Sequence, residues 1–378
     1  MMPMPDSFWM LVFWTASGLL FLAYPGYPLL LLCVPRIRAE APAASADMTT
    51  SVAVVLVVRN EATRIEARLR NLLDCDAEIR EIIVVCDGCS DPTAAVAKAQ
   101  GHPAIQVIEV LEPRGKPAGI NIGVRAATAD VIVLCDARQR FEPTTIPRLL
   151  RWFADPANGA VSGALEIESS SSSSGRGVDA YWRLEKLIRQ MESDMDSCVG
   201  CTGAVYAVRR SCFQPMPEDT LLDDVVVPML IAAQGKRVRF DPDARAFDPQ
   251  TLDGGKEKRR KVRTLAGNFQ MMARYPRWML PWGHRQWWKL LLHKYLRLAG
   301  PWLLVLMLTS SLLLLKRPFF LLIAAALAGF LLLALVGLAL PGRKVKWLSL
   351  PAGFVFLQWC VVKGLIHWLK GTQTRGWR

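Results

Sequence analysis

The chain has 378 residues, 52% of them hydrophobic, and a formal net charge of +13. That apolar fraction is high for a soluble protein, and it is concentrated at the two ends, leaving a middle that reads as a soluble α/β domain. No nucleic-acid recognition motif accompanies the basic residues, so their charge points to a membrane surface or a pyrophosphate and not to nucleic acid.

From Phe8 to Val34 the chain is almost entirely apolar and long enough to span a bilayer. A secretory signal peptide is the competing reading, because the small residues from Ala41 to Ala46 imitate a cleavage site. Against it, no Lys or Arg precedes the run, and Asp6 does. Arg36 and Arg38 follow it, which by the positive-inside rule places the N-terminus outside and the central domain in the cytoplasm. Pro25 and Pro28 predict a kink in the span.

The middle opens with short β-branched runs at 51–58, 81–86 and 130–135, which read as buried strands of a mostly parallel sheet. Between the first two, Ile65, Leu69, Leu72 and Leu73 fall on one helical face. Asp91 suits the N-cap of a helix with Pro92 at its first position. Strand, turn, helix and strand repeat in the doubly wound pattern, where ligands bind beyond the carboxyl ends of the strands. The polar residues at those ends are Arg59, Asn60 and Glu61, then Asp87, then Asp136, Arg138 and Gln139. Neither G-x-G-x-x-G nor G-x-x-x-x-G-K-[ST] is present, which argues against a dinucleotide oxidoreductase or a P-loop nucleotidase. Cys86 with Cys89 and Cys198 with Cys201 form two C-x-x-C pairs. Their separation favours buried thiols over a shared zinc ion. The serine-rich stretch Glu168 to Gly177 reads as a loop without chemistry.

Lys256, Lys258, Arg259, Arg260, Lys261 and Arg263 then form one dense basic patch. Trp278, Trp282, Trp287 and Trp288, mixed with Arg277, Arg285 and Lys289, suit an interfacial helix lying on a membrane. Three apolar runs follow at roughly 298–315, 318–340 and 347–369, separated by Lys316-Arg317 and by Arg343-Lys344-Val345-Lys346. The basic tail from Lys370 to Arg378 opposes an outside C-terminus, so that side stays open.

Several segments in order resemble the family 2 glycosyltransferases, inverting enzymes with a GT-A fold, and within them the membrane-embedded cellulose, chitin and hyaluronan synthase branch. VVRNEA (57–62) resembles the opening strand and its Asn-Glu turn. VCDGCSDPT (85–93) is similar to D-D-G-S-x-D-x-T, with Asp87 at the second Asp, where the family binds the nucleotide base. RGKPAGINIG (114–123) resembles G-K-x-x-x-[LI]-N-x-G, which puts Lys116 near the donor's ribose or diphosphate. CDAR (135–138) stands where the family has D-x-D. The resemblance implies Mg²⁺ or Mn²⁺ with Asp136 as its ligand. The second Asp is Arg138 here, which cannot bind a metal but can pair with phosphate directly.

CTGAVYAVRR (201–210) resembles the acceptor-side segment, where Gly203 and Ala204 leave room for a sugar. TLLDDVVVP (220–228) stands at T-x-x-E-D, with Asp223 at the Glu and Asp224 at the catalytic base. RRKVRT (259–264) stands at Q-x-x-R-W, so Arg263 is the residue that neutralises the leaving diphosphate. Thr264 replaces the Trp that stacks on the acceptor in processive members. The resemblance thus assigns Arg59, Asn60, Glu61, Asp87, Lys116, Asp136 and Arg138 to the donor, Gly203, Ala204 and Asp223 to the acceptor side, and Asp224 and Arg263 to catalysis.

The expected organisation is a transmembrane helix over 1–38, a cytoplasmic GT-A domain over 39–274, interfacial helices over 275–297, and about three transmembrane helices with a tail over 298–378. The expected activity is hexosyl or N-acetylhexosaminyl transfer from a UDP-sugar to a glycan or lipid acceptor at a bacterial inner membrane. Polysaccharide synthesis is the leading use, with other synthesis or export proteins as partners. Single transfer to a lipid or lipid-linked sugar is the alternative, and a non-catalytic membrane scaffold is a second.

Overall fold

The computed structural model describes residues 5–35, 50–167, 176–249, 254–340 and 346–371. Arg36, Arg38, the small residues at 41–46, positions 168–175 of the serine-rich stretch, Arg343, Lys344 and residues 372–378 lie outside them.

The first apolar run folds as α1 (Asp6–Phe21), a π-helical turn (Leu22–Gly26) and α2 (Tyr27–Cys33). Pro25 sits inside the π-helical turn, whose wider hydrogen-bond spacing accommodates a residue without an N–H. Pro28 lies in the first turn of α2, where the missing donor costs little.

The central domain begins with β1 (Val52–Val58), α3 (Ile65–Leu73), β2 (Ile79–Asp87), α4 (Thr93–Lys98), β3 (Ile105–Val110), α5 (Lys116–Ala126) and β4 (Val131–Cys135). It continues through β5 (Arg140–Phe141), α6 (Thr145–Leu150), β6 (Asn158–Ile167), α7 (Arg176–Met195) and β7 (Val205–Arg209). It closes with α8 (Asp223–Ala233), β8 (Arg237–Asp248) and α9 (Gly254–Arg274). Arg176 and Gly177, expected in the serine-rich loop, belong to α7.

The strands form one sheet in the order β3-β2-β1-β4-β7-β6-β8-β5. The first four are parallel, whereas β7 runs antiparallel to both β4 and β6. Every residue of β1 is buried, because helices cover both faces of the sheet. Ala53, Val55 and Val57 enter one core with Ile83, Val85, Ile132 and Leu134, while Val54, Leu56 and Val58 enter the other with Ile82, Val84, Val131 and Val133. Cys198 and Cys201 pack in the first core and Cys86 in the second, so the two C-x-x-C pairs lie on opposite faces of the sheet. In α3, Ile65, Leu69 and Leu72 are buried as their spacing predicts.

Helix α5 lies close against β1. A Cβ at Gly119 would stand 2.3 Å from Val57 and one at Gly123 2.4 Å from Val55, so only glycine permits that approach. The antiparallel β4–β7 pair brings Cys135 opposite Val205, so the carboxyl end of β4 meets the amino end of β7. Asp136 and the Gly203-Ala204 turn thereby share one rim of the sheet.

The tryptophan-rich stretch is divided between roles. Trp278 is buried and stacks on Tyr275 with centroids 4.0 Å apart, whereas Trp282 is 82% exposed. Next come α10 (Trp287–Lys289), a second π-helical turn (Leu290–Tyr295), α11 (Leu296–Leu298) and α12 (Gly300–Leu313). The helix over Trp287–Leu298 meets α12 at a bend of 61°. At ~1.5 Å per residue, α12 alone is too short for a ~30 Å hydrocarbon core, so the run expected at 298–315 is half of a broken span or re-entrant pair. The last two helices are α13 (Pro318–Ala339) and α14 (Lys346–Leu369). Among the described residues, three segments are long and apolar enough to cross a membrane: Asp6–Cys33, Pro318–Ala339 and Trp347–Leu369.

Candidate active site

The rim at the carboxyl ends of β1, β2 and β4 is built from the turns that leave those strands. Asp87 ends β2 and is buried. Its two carboxylate oxygens accept the backbone N–H groups of Arg114 and Gly115, each at 2.8 Å. Gly115 has φ 99°, a left-handed conformation that an L side chain resists, and it turns the chain directly into α5. The Asp87 contact therefore fixes the start of the helix that carries Lys116.

The Lys116 Nζ lies 2.8 Å from Asp136 Oδ1 and 3.3 Å from Asp223 Oδ2. Burial works against its charge, but the carboxylates of Asp136, Asp223 and Asp224 outweigh it and hold its pKa above that of an ordinary lysine. The ammonium thus joins the end of β4 to the start of α8.

Asp223 and Asp224 open α8, where helix dipole and free N–H groups favour acids. Asp223 is buried. Burial, then the neighbouring Asp223 carboxylate, raises the Asp224 pKa; Lys116, Arg189 and Lys294 pull against that rise. The Asp224 carbonyl accepts the Cys201 N–H at 2.7 Å, tying α8 to the segment before β7. A Cβ at Gly203 would stand 3.2 Å from Asp224 Oδ2, so the glycine keeps the space over this carboxylate open. Ala204 follows, buried, at the entry to β7.

The turn after β1 is held differently. Asn60 takes φ 56° and exchanges hydrogen bonds with Ser90, accepting its N–H at 2.8 Å and donating to its Oγ at 3.1 Å. Glu61 pairs with Arg64 at 2.8 Å, and the Glu61 N–H is donated to Thr93 Oγ1 at 2.9 Å. Asp91 accepts the N–H groups of Thr93 and Ala62, each at 3.1 Å, so it binds the first turn to the second, while the N-cap of α4 is Pro92 and not Asp91 as its spacing predicts. Asn60 and Glu61 therefore order the rim, while Arg59 stands half-buried directly after β1. Arg138 turns to Asp248 at the end of β8, with Nη2 to Oδ2 at 2.6 Å, and Gln139 donates to the same oxygen at 3.1 Å.

The sequence profile described as Glycosyl transferase family 2 matches residues 53–216, the stretch that runs from β1 past β7. The chain carries a glycosyl transferase family 2 domain. It is 27% identical over 243 residues to poly-beta-1,6-N-acetyl-D-glucosamine synthase of Staphylococcus aureus (strain COL), covering 62% of this chain and 58% of that one. The Staphylococcus epidermidis synthase of the same description is 22% identical over 231 residues, covering 59% and 56%. The match thus spans a little over half the length of these curated relatives. Among solved structures, the mannosyltransferase PcManGT from Pyrobaculum calidifontis, in complex with GDP-Man and Mn²⁺, superposes with a TM-score of 0.70 over 96% of this chain and 98% of that one. At 24% identity this likeness concerns the fold, which is the GT-A-like α/β fold with flanking apolar helices.

Helix α9 is tied to the loop that carries the two acids. Gln270 accepts the Leu221 N–H at 3.0 Å and donates to the Asp219 carbonyl at 2.8 Å, and Arg274 pairs with Asp219 at 2.6 Å. Arg263 lies two turns before Gln270 on the same helical face. Sequence reading passed over Gln270, Asp248 and the acids of α7. Their partners are distant in sequence, and only Glu185, Arg189 and Glu192, at helical spacing, signal themselves locally.

Proposed function

We propose that this glycosyltransferase moves a sugar from a UDP-sugar to a membrane-associated acceptor, with inversion, in the synthesis of a polysaccharide. The observation that carries the reading is the single ammonium of Lys116 set between Asp136 and Asp223, with Asp224 next in sequence beneath the open Gly203 turn. Lys116 thereby links a donor-side carboxylate to one on the acceptor side. Arg59, Asp87 and Lys116, on a rim ordered by Asn60 and Glu61, hold nucleotide and diphosphate, and Gly203, Ala204 and Asp223 shape the acceptor side. The naming of the curated relatives as poly-beta-1,6-N-acetyl-D-glucosamine synthases supports a polymer product.

Asp224 takes the proton of the acceptor hydroxyl as its oxygen attacks the anomeric carbon, and the bond to the diphosphate breaks on the opposite side. A carboxylate raised in pKa suits this task better than an ordinary one, being the stronger base. Arg263 draws off the charge of the leaving diphosphate.

The fold neighbour holds Mn²⁺ with its donor. Among the described residues here no group of three or more His, Cys, Asp or Glu is placed to hold a metal ion. Asp136 is 40% exposed with one oxygen on Lys116, which fits a Mg²⁺ or Mn²⁺ ion carried chiefly by the diphosphate and one carboxylate. The ion, when bound, supplies positive charge to the diphosphate. Arg138 supplies part of that charge from the protein, its side chain 44% exposed beside the buried Asp248.

A single transfer to a lipid or lipid-linked sugar is the second reading. It is favoured by Thr264, which is exposed and donates to the Arg260 carbonyl at 3.0 Å, where an acceptor-stacking Trp would support repeated addition. In either case the chain is embedded in a bacterial inner membrane with the central domain in the cytoplasm. Incubating purified protein with donor and acceptor and sizing the product separates the two: a ladder of lengths supports the polymer, and one added sugar supports single transfer.

A further inference from the structure

Tyr206 stands in β7 opposite Leu134 of β4 and Ser162 of β6, and it is fully buried. Its side chain lines a narrow crevice beneath the rim, together with Lys116, Gly203 and Asp223 and the apolar walls of Val57 and Leu134. The Tyr206 hydroxyl has no hydrogen-bond partner among the described residues. The crevice is too tight for a water molecule, so solvent does not satisfy the phenol there. A buried O–H left unmatched carries a cost that a phenylalanine ring of the same shape would avoid. Folding alone therefore does not account for a tyrosine at this position.

An acceptor for that hydroxyl lies in the same crevice. Asp223 Oδ2 is buried, accepts no hydrogen bond among the described residues, and faces the Lys116 ammonium at 3.3 Å. Burial raises the Tyr206 pKa, and after burial Asp223 adds most to that rise, ahead of Cys201, Asp224 and Asp136. The phenol thus stays protonated, an O–H donor on which the Asp223 carboxylate bears more than any other acid. Asp223 depends meanwhile on a cation with other work. Lys116 also lies 2.8 Å from Asp136, and it is the residue assigned above to the diphosphate. When the ammonium turns to phosphate oxygens, Asp223 is left as a buried carboxylate without its cation, which is costly unless another donor takes over.

We infer that Tyr206 is a positioning residue for the transfer, its hydroxyl donating to Asp223 when Lys116 turns to the diphosphate of the nucleotide-sugar. The inference rests on the assignment of Lys116 to the donor. No covalent bond forms or breaks at Tyr206, and its proton stays on the phenol oxygen; only the hydrogen-bond partner changes. The exchange lowers the cost of releasing Lys116 from Asp223. It also keeps Asp223 ionised and in place beside Asp224 while the donor settles.

The test is titration of the full chain in detergent with a panel of UDP-sugars, for wild type, Tyr206→Phe, Lys116→Met and the double variant. Tyr206→Phe is expected to weaken donor binding about 10-fold, the scale of one lost charge-assisted hydrogen bond, without lowering the thermal unfolding temperature of the protein alone. In Lys116→Met the cation is gone with or without donor, and the phenol serves Asp223 in both states. Adding Tyr206→Phe to Lys116→Met is therefore expected to change donor affinity no further. A packing role would instead weaken binding by the same factor in both backgrounds. Tyrosine labelled with ¹³C at Cζ gives a second readout, since the chain has 6 tyrosines and the Tyr206 resonance is the one lost in Tyr206→Phe. That resonance is expected to move on donor addition in wild type and to stay in place in Lys116→Met at saturating donor. Unchanged donor affinity in Tyr206→Phe, equal losses in the two backgrounds, or a resonance that moves alike in both overturns the role of Tyr206. Wild type that binds none of the UDP-sugars overturns the donor reading beneath it instead.

Discussion

At the scale of single residues, the site turns on how a few carboxylates share cations. Asp224 is raised by burial and by Asp223, so the ionised base is lost at a higher pH than for an ordinary aspartate. The acidic limb of kcat/KM should therefore lie above the usual aspartate range. Asp223→Asn removes the neighbouring negative charge and should move that limb to lower pH. A pH profile unchanged by Asp223→Asn would contradict Asp224 as the titrating base. Lys116→Met should weaken donor binding about 10- to 100-fold, the loss expected for a charge-assisted contact to phosphate, read by titration with the UDP-sugar. Asp87 and Asp136 were legible because they end strands whose apolar runs are unmistakable. The double backbone grip of Asp87 on Arg114 and Gly115 was not, since backbone N–H groups leave no mark on sequence. Nor was Asp248, which stands 110 residues from Arg138.

At the scale of elements, α7 and the bent interfacial helix are joined by buried charge. Burial alone would raise the Glu192 carboxyl, but His293, Lys289 and the Tyr27 hydroxyl lower it to about 2. Because its folded pKa lies below the ordinary 4.5, its contribution is complete above that pH and fades as the pH falls toward about 2. Glu192→Gln should cost about 3–5 kcal/mol at neutral pH, the typical loss when one member of a buried pair is removed. Thermal unfolding in detergent checks this, and the gap between variant and wild type should narrow in acid. An equal gap at pH 7 and in acid would show that the charge does not matter. Helix existence was readable here, whereas the π-helical turns at Leu22–Gly26 and Leu290–Tyr295 were not. They widen the helix by one residue without changing the apolar composition that a sequence displays.

At the scale of the whole molecule, the order of apolar and mixed-charge segments already outlined a sheet domain between apolar helices. The mostly parallel sheet followed from buried β-branched runs, and its GT-A-like form is shared with PcManGT. The bend before α12 escaped the hydropathy pattern, because the basic residues Lys289, His293 and Arg297 are held by Glu185 and Glu192 of α7. The spans Asp6–Cys33, Pro318–Ala339 and Trp347–Leu369 should keep the chain in the membrane fraction through washes with high salt and alkali, with release only by detergent. Release by salt alone would instead mean attachment through the basic surface.

The central claim is tested most directly by nucleotide release from a panel of UDP-sugars, with purified protein in lipid beside Asp224→Asn. Release from one sugar, reduced about 10²- to 10⁴-fold in the variant while donor binding persists, is the predicted result. Equal release by Asp224→Asn and wild type would contradict the assignment of Asp224 as the base.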